Sequence, residues 1–114
     1  MNISLNMAKT AYAALDEKKA ENIVTIDISE ISPLADYYII TNADNENQLH
    51  ALVDNVEKKM KEAGYNLRFT EGSRSADWVL LDYSDIVIHV FSKEARAYYD
   101  LERIWRDGKV YETI

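Results

Sequence analysis

Three aspartates, Asp77, Asp82 and Asp85, stand close together in the stretch DWVLLDYSD, interleaved with Trp78 and Tyr83; Glu71 lies shortly before them and His89 shortly after. Carboxylates at such spacing could share acid–base work, one holding a proton while the other removes one, provided a pocket brings them together. Aspartate also ends strands and closes turns, because its short side chain accepts hydrogen bonds from nearby backbone N–H groups. That local role is the reading adopted for these three as far as catalysis is concerned. His50 and His89 lie far apart, and neither has a second histidine or a glutamate at ligand spacing. No serine sits on a glycine-flanked elbow, and no glycine-rich run could cradle a phosphate. The expectation is therefore no catalytic residue, no metal and no cofactor, with His89 a strand histidine satisfied by a hydrogen bond.

The elements that must position these residues are legible from periodicity. Ile3, Met7, Ala11 and Leu15 recur at helical spacing, followed by an alternating strand in which Val24, Ile26 and Ile28 face one side and Thr25 and Asp27 the other. Pro33 interrupts, and residues 36–41, rich in aromatic and β-branched types, suit a central strand buried on both faces. Asn45 predicts the cap of a long helix, with Gln48 three residues on, a stripe from Leu49 to Ala63 and Gly64 as its stop. A short strand over 66–71, a loop over 72–76 and a hairpin from Trp78 to Phe91 follow. A last helix is expected to bury Ala97, Tyr98, Leu101, Ile104 and Trp105 and to end at Gly108. The order α-β-β-α-β-β-β-α describes a single α+β domain over residues 1–114, a mixed β-sheet flanked by helices.

Within the hairpin, Trp78, Leu80 and Asp82 share one face and Val79, Leu81 and Tyr83 the other. The second set is the more uniformly apolar and is assigned to the core. Two readings stand for Trp78. As a partly exposed aromatic beside carboxylates it is an interface anchor with a charged rim, and Trp78→Ala releases a partner while the fold survives. As a ring packed under a helix, its loss melts the protein. The docking surface expected on the first reading comprises Asp77, Trp78, Asp82, Tyr83 and Asp85, with Glu71 at its rim.

Composition limits the partner. The chain has 114 residues, 20 acidic against 13 basic, and a formal net charge of −7. Phosphate backbones repel such a domain unless it concentrates a basic patch, and here the basic residues are scattered or paired with acids, so little direct nucleic-acid contact is expected. The same charge favours encounter with a basic partner, either a basic protein or a small cation. The absence of cysteine excludes a disulfide framework and thiolate chemistry. With neither a leader-like N-terminus nor a span-length apolar run, the expected location is the cytoplasm, away from membranes.

DYYII (36–40), the Glu71-Gly72 step, DWVLLDY (77–83), DIVIHVF (85–91), Arg96 and YDLERIW (99–105) together resemble the ribosomal silencing factor family, RsfS, also called Iojap-related proteins. The resemblance runs from about Leu15 to Trp105. It implies a fold similar to that of nucleotidyltransferases and a non-enzymatic translational repressor. Such a factor binds the large ribosomal subunit through the basic universal large-subunit protein L-fourteen and blocks joining of the small subunit; related organellar proteins act in large-subunit assembly. A homodimer is compatible with the resemblance. The alternative is a nucleotidyltransferase-like enzyme, which needs a Gly-Ser step where a strand enters a helix. Here that junction reads Thr41-Asn42-Ala43-Asp44-Asn45, with neither glycine nor serine. Many silencing factors keep a glycine-containing turn there, and for this chain helix capping accounts for the segment.

Overall fold

Good helix formers and a stripe of small apolar residues set the first element. Helix α1 (Ile3–Glu17) buries Met7, Ala8, Ala11, Ala14 and Leu15 on one face, and the alanines allow close approach of α2 (Glu46–Glu62), which answers with Leu49, Leu52, Val53, Val56 and Met60. The structure is a computed structural model and describes residues 3–72, 77–104 and 107–114. The loop expected over 73–76 and the burial expected of Trp105 and of the Ile104 side chain lie outside what it describes.

The expected capping of α2 is present and does more than cap. Asn45 Oδ1 accepts from the Gln48 N–H (2.8 Å) while Gln48 Oε1 accepts from the Asp44 N–H (2.6 Å), and Gln48 Nε2 donates to the Lys19 carbonyl (3.0 Å) beyond the end of α1. Buried Asn55 repeats the device, donating from Nδ2 to the Ala14 carbonyl (2.8 Å) and to Glu17 Oε1 (2.9 Å). Ala14 carries one of the last carbonyls of α1, which no intrahelical N–H can satisfy. Asn55→Ala should therefore cost about 1–3 kcal/mol by stranding that acceptor in the helix interface. The check is a urea titration in which the midpoint falls and the slope is unchanged.

Six strands form one sheet in the order β3-β4-β5-β2-β1-β6: β1 (Glu21–Asp27), β2 (Tyr37–Ala43), β3 (Phe69–Glu71), β4 (Trp78–Asp82), β5 (Ile86–Ser92) and β6 (Lys109–Tyr111). Among the described residues, β2 and β5 pair in parallel and the other neighbouring strands pair antiparallel. The α+β assignment, the central place of β2 and the β4–β5 hairpin match expectation. Asp82 Oδ1 accepts from the Ser84 N–H (2.7 Å) and Ser84 takes a φ of 70°, so the hairpin turn rests on the local aspartate chemistry that the sequence suggests. Strand β3 is shorter than the expected 66–71. Strand β6, which covers the outer edge of β1, is an addition.

The sheet separates two cores. Ile39, Val79, Leu81, Tyr83, Ile88 and Val90 meet α1 and α2, while Ile26, Ile28, Ile40, Val87 and Phe91 form a smaller core on the opposite face with Ala95 of α3 (Lys93–Tyr99). The expected last helix needs correction. Ser92 caps α3 through its Oγ (3.1 Å from the Ala95 N–H), and Asp100, left-handed at φ 48°, ends it before a short α4 (Leu101–Ile104). With the helix capped at Ser92 and broken at Asp100, Ala95 turns inward, Ala97 is exposed and Tyr98 is 82% exposed.

Candidate functional site

The smaller core opens at the seam between α3 and the hairpin. Trp78 lies opposite Phe91 in the β4–β5 register, and its half-buried indole stacks on the Phe91 ring (centroids 5.0 Å) and against Tyr99 (4.6 Å). Tyr98 meets Tyr99 edge-on at 5.1 Å. Such contacts hold rings in offset or tilted geometry. Asp77, Glu94, Ala95, Tyr98 and Tyr99 line a shallow depression beside this seam. Asp77 is tied into the frame: its carbonyl accepts from the Ser92 N–H (2.8 Å) and its Oδ1 from the Ser92 hydroxyl (3.3 Å).

His89 lies deeper on the same face, 3% exposed, with its ring 4.8 Å from that of Tyr38. Trp78 Nε1 donates to His89 Nδ1 (3.1 Å), which supplies the hydrogen bond expected for this histidine and leaves the proton of the neutral ring on Nε2. Burial pushes the His89 pKa down from 6.5 to about 4. Burial, and then the Asp82 carboxylate, raise the pKa of Tyr38.

The six residues expected on one docking surface do not form one patch. Asp77 and Trp78 sit together at the α3 end of the hairpin, and exposed Glu71 is on β3, whose pairing sets it opposite Leu80. Asp82 is about 13 Å along the strand from Trp78, at the turn end. Its carboxylate is largely buried, held by Ser84 and by Arg68 Nη1 (3.7 Å). Asp85 is exposed, with its backbone carbonyl accepting from the Asp36 N–H (2.8 Å). Tyr83, expected both in the core set and on the docking surface, belongs to the core: it is 3% exposed on the α1–α2 side, where burial and then the nearby Glu57 carboxylate raise its pKa to about 12. Alternation along β4 requires this, since Tyr83 continues the Val79 and Leu81 face. Tyr99 was missed because the last helix was phased on Tyr98; Ser92 followed by a polar first turn is the capping signal that shifts the phase.

The strand-to-helix junction is occupied by the protein's own groups. Arg96 forks onto both Glu102 oxygens (3.2 and 3.0 Å) and donates to the Asn42 amide oxygen (2.8 Å) and the Asn22 carbonyl (2.6 Å), while Asn42 Nδ2 donates to Glu21 Oε1 (3.0 Å). Lys93 pairs with Asp44 (2.9 Å), which lowers the pKa of the aspartate and raises that of the lysine. This web fixes α3 and α4 to the β1–β2 end of the sheet. Among the described residues, no three or more His, Cys, Asp or Glu side chains gather as a metal-ligand set, and His50 pairs with Glu46 one turn away (3.6 Å).

Comparison with known proteins places this arrangement. The chain is 39% identical over 106 residues to the ribosomal silencing factor RsfS of Halalkalibacterium halodurans, an alignment covering 93% of this chain and 91% of that protein. It superimposes on a crystal structure of a Chromobacterium violaceum protein with a TM-score of 0.89 at 37% identity, covering 93% of this chain and 88% of that one. A more distant similarity, 29% identity over 80% of this chain and 41% of the relative, links it to the mouse protein named mitochondrial assembly of ribosomal large subunit protein 1. The profile of the family described as ribosomal silencing factor during starvation matches residues 2–114, and the chain accordingly belongs to the ribosomal silencing factor family, RsfS.

Proposed function

We propose that this chain represses translation in the cytoplasm by docking on the large ribosomal subunit through the basic universal protein L-fourteen, thereby keeping the small subunit from joining. The observation that carries the reading is the Trp78 seam: a stacked, partly buried aromatic whose neighbour Tyr99 lines a depression with Asp77 and Glu94, on a protein of net charge −7. Aromatic anchors supply binding energy at the centre of an interface, and acidic surroundings steer a basic partner onto it. Asp77, Trp78, the exposed edge of Tyr99 and Tyr98 form the centre of the docking face, with Glu71 and Asp85 as outlying acidic contacts. Asp82 shapes the turn, and Tyr83 supports the sheet from behind. Family membership supports a regulatory binding factor over an enzyme, as does a strand-to-helix junction whose polar groups are engaged by Arg96 and Lys93.

Sucrose-gradient sedimentation tests the reading. The tagged chain should travel with large subunits, and its addition should leave small and large subunits separate under conditions that otherwise join them. Recovery at the top of the gradient defeats the proposal. Given the name of the mouse relative, a second reading is action during large-subunit assembly. Under it, the chain would sediment with immature large particles and leave joining of mature subunits unaffected.

A further inference from the structure

We infer that His89 is a positioning residue for docking: its Nδ1 selects the one orientation of the Trp78 indole that the partner meets. The inference rests on the docking reading above. Stacking on Phe91 and Tyr99 fixes the plane of the indole, but a stack is satisfied almost equally when the ring turns over, since χ2 of tryptophan has broad, roughly two-fold wells. The N–H breaks that equivalence. Trp78 is directly opposite Phe91 and diagonal to His89 across the β4–β5 pair, so its indole N–H reaches an acceptor on the neighbouring strand at 3.1 Å in only one of the two orientations.

The choice of histidine carries a cost that packing does not require. With Nδ1 accepting from Trp78, the ring proton lies on Nε2, and Nε2 is buried without a hydrogen-bond partner among the described residues. A phenylalanine would fill the same volume against Tyr38 and Phe91 without carrying an unpaired donor of its own, at the expense of the acceptor of the part-buried Trp78 N–H. What phenylalanine lacks is the acceptor that orients Trp78. A fold-only role for position 89 therefore predicts that stability and binding change together, whereas positioning predicts that they separate.

Two substitutions separate them. His89→Phe keeps a ring and removes the acceptor; His89→Asn places an amide oxygen where Nδ1 stood and removes the ring. His89→Phe, which loses the Trp78 bond together with the unpaired Nε2–H, should melt near the parent temperature, lose the protection of the Trp78 indole proton against solvent exchange in NMR spectra, and bind purified large subunits about tenfold more weakly. His89→Asn should melt lower, yet below its melting temperature it should bind better than His89→Phe and retain indole protection. Binding that follows the ring instead of the acceptor overturns the inference, as does an unchanged indole proton in His89→Phe. Trp78→Ala separates the two levels of the claim. If it binds like the parent, the docking reading falls and takes this inference with it; if it loses binding while His89→Phe keeps it, only the inference falls.

Discussion

Trp78→Ala should lower both the stability of the fold and its affinity for large subunits. Removing a fully buried tryptophan costs about 3–5 kcal/mol, and Trp78 is half-buried, so a loss of about 2–3 kcal/mol is expected from its stacks on Phe91 and Tyr99 and its bond to His89. Truncating an anchor at an interface centre costs a further ~2 kcal/mol or more of binding, about thirtyfold in affinity. Trp78→Phe makes the two effects resolvable, since a benzene ring retains the stack on Phe91 while giving up the N–H and part of the exposed edge. It should melt within a few degrees of the parent and still bind more weakly. Thermal melts, combined with large-subunit binding well below each melting temperature, provide the measurement. A Trp78→Ala protein with the parent's melting temperature would mean that the stacks contribute nothing. The two sequence readings of this residue are compatible, because the indole packs against Tyr99 of α3 and is only partly buried.

Where burial follows a simple period, the fold is legible in the sequence. The alternation of β4 predicts which residues face α1 and α2, and Asn45, Gln48 and Gly64 bracket α2 because each supplies a hydrogen bond or a backbone conformation that few other residues can. The last helix was misphased for a physical reason: Asp100 in the left-handed region breaks the 3.6-residue period, so a stripe drawn through Ala97 and Leu101 crosses two helices with different phases. Strand β6 left no trace, since Lys109, Val110 and Tyr111 are all exposed and only their pairing with β1 makes them a strand. The candidate site was half visible. Trp78 and Asp77 stand out by type, whereas Tyr99 joins them through helix phase, and Arg96 acts on Asn22 and Asn42 across a separation in sequence that no local pattern encodes. Asp82 and Asp85 are carboxylates near an aromatic in sequence, although pairing across β4 and β5 puts them at the opposite end of the hairpin from Trp78.

Acid should destabilise the protein before its carboxylates titrate, and His89 should be the cause. Burial holds the native pKa at about 4 against 6.5 for a free imidazole. Between those values the unfolded chain takes up a proton at position 89 that the native protein refuses. The unfolded state then binds more protons, so stability is fully present above pH 6.5, falls as pH drops through the window, and by about pH 4 has lost on the order of 3 kcal/mol. Protonation of Nδ1 would also convert the acceptor of the Trp78 N–H into a donor, so the charged ring opposes both burial and the bond. Tyr38, which packs against the His89 ring, has its pKa raised by burial and then by the Asp82 carboxylate, so it stays neutral throughout the range. Carboxylates with lowered pKa values, Glu17 beside Asn55 and Asp44 beside Lys93, contribute their own losses only at lower pH. His89→Phe isolates the imidazole. Urea midpoints of parent and variant should keep a constant difference above pH 6.5 and diverge steadily towards pH 4, with the parent losing more. Curves that run parallel across that window would show that His89 is not held neutral in the native fold, and the hydrogen bond that orients Trp78 would then have to be assigned to a different state of the ring.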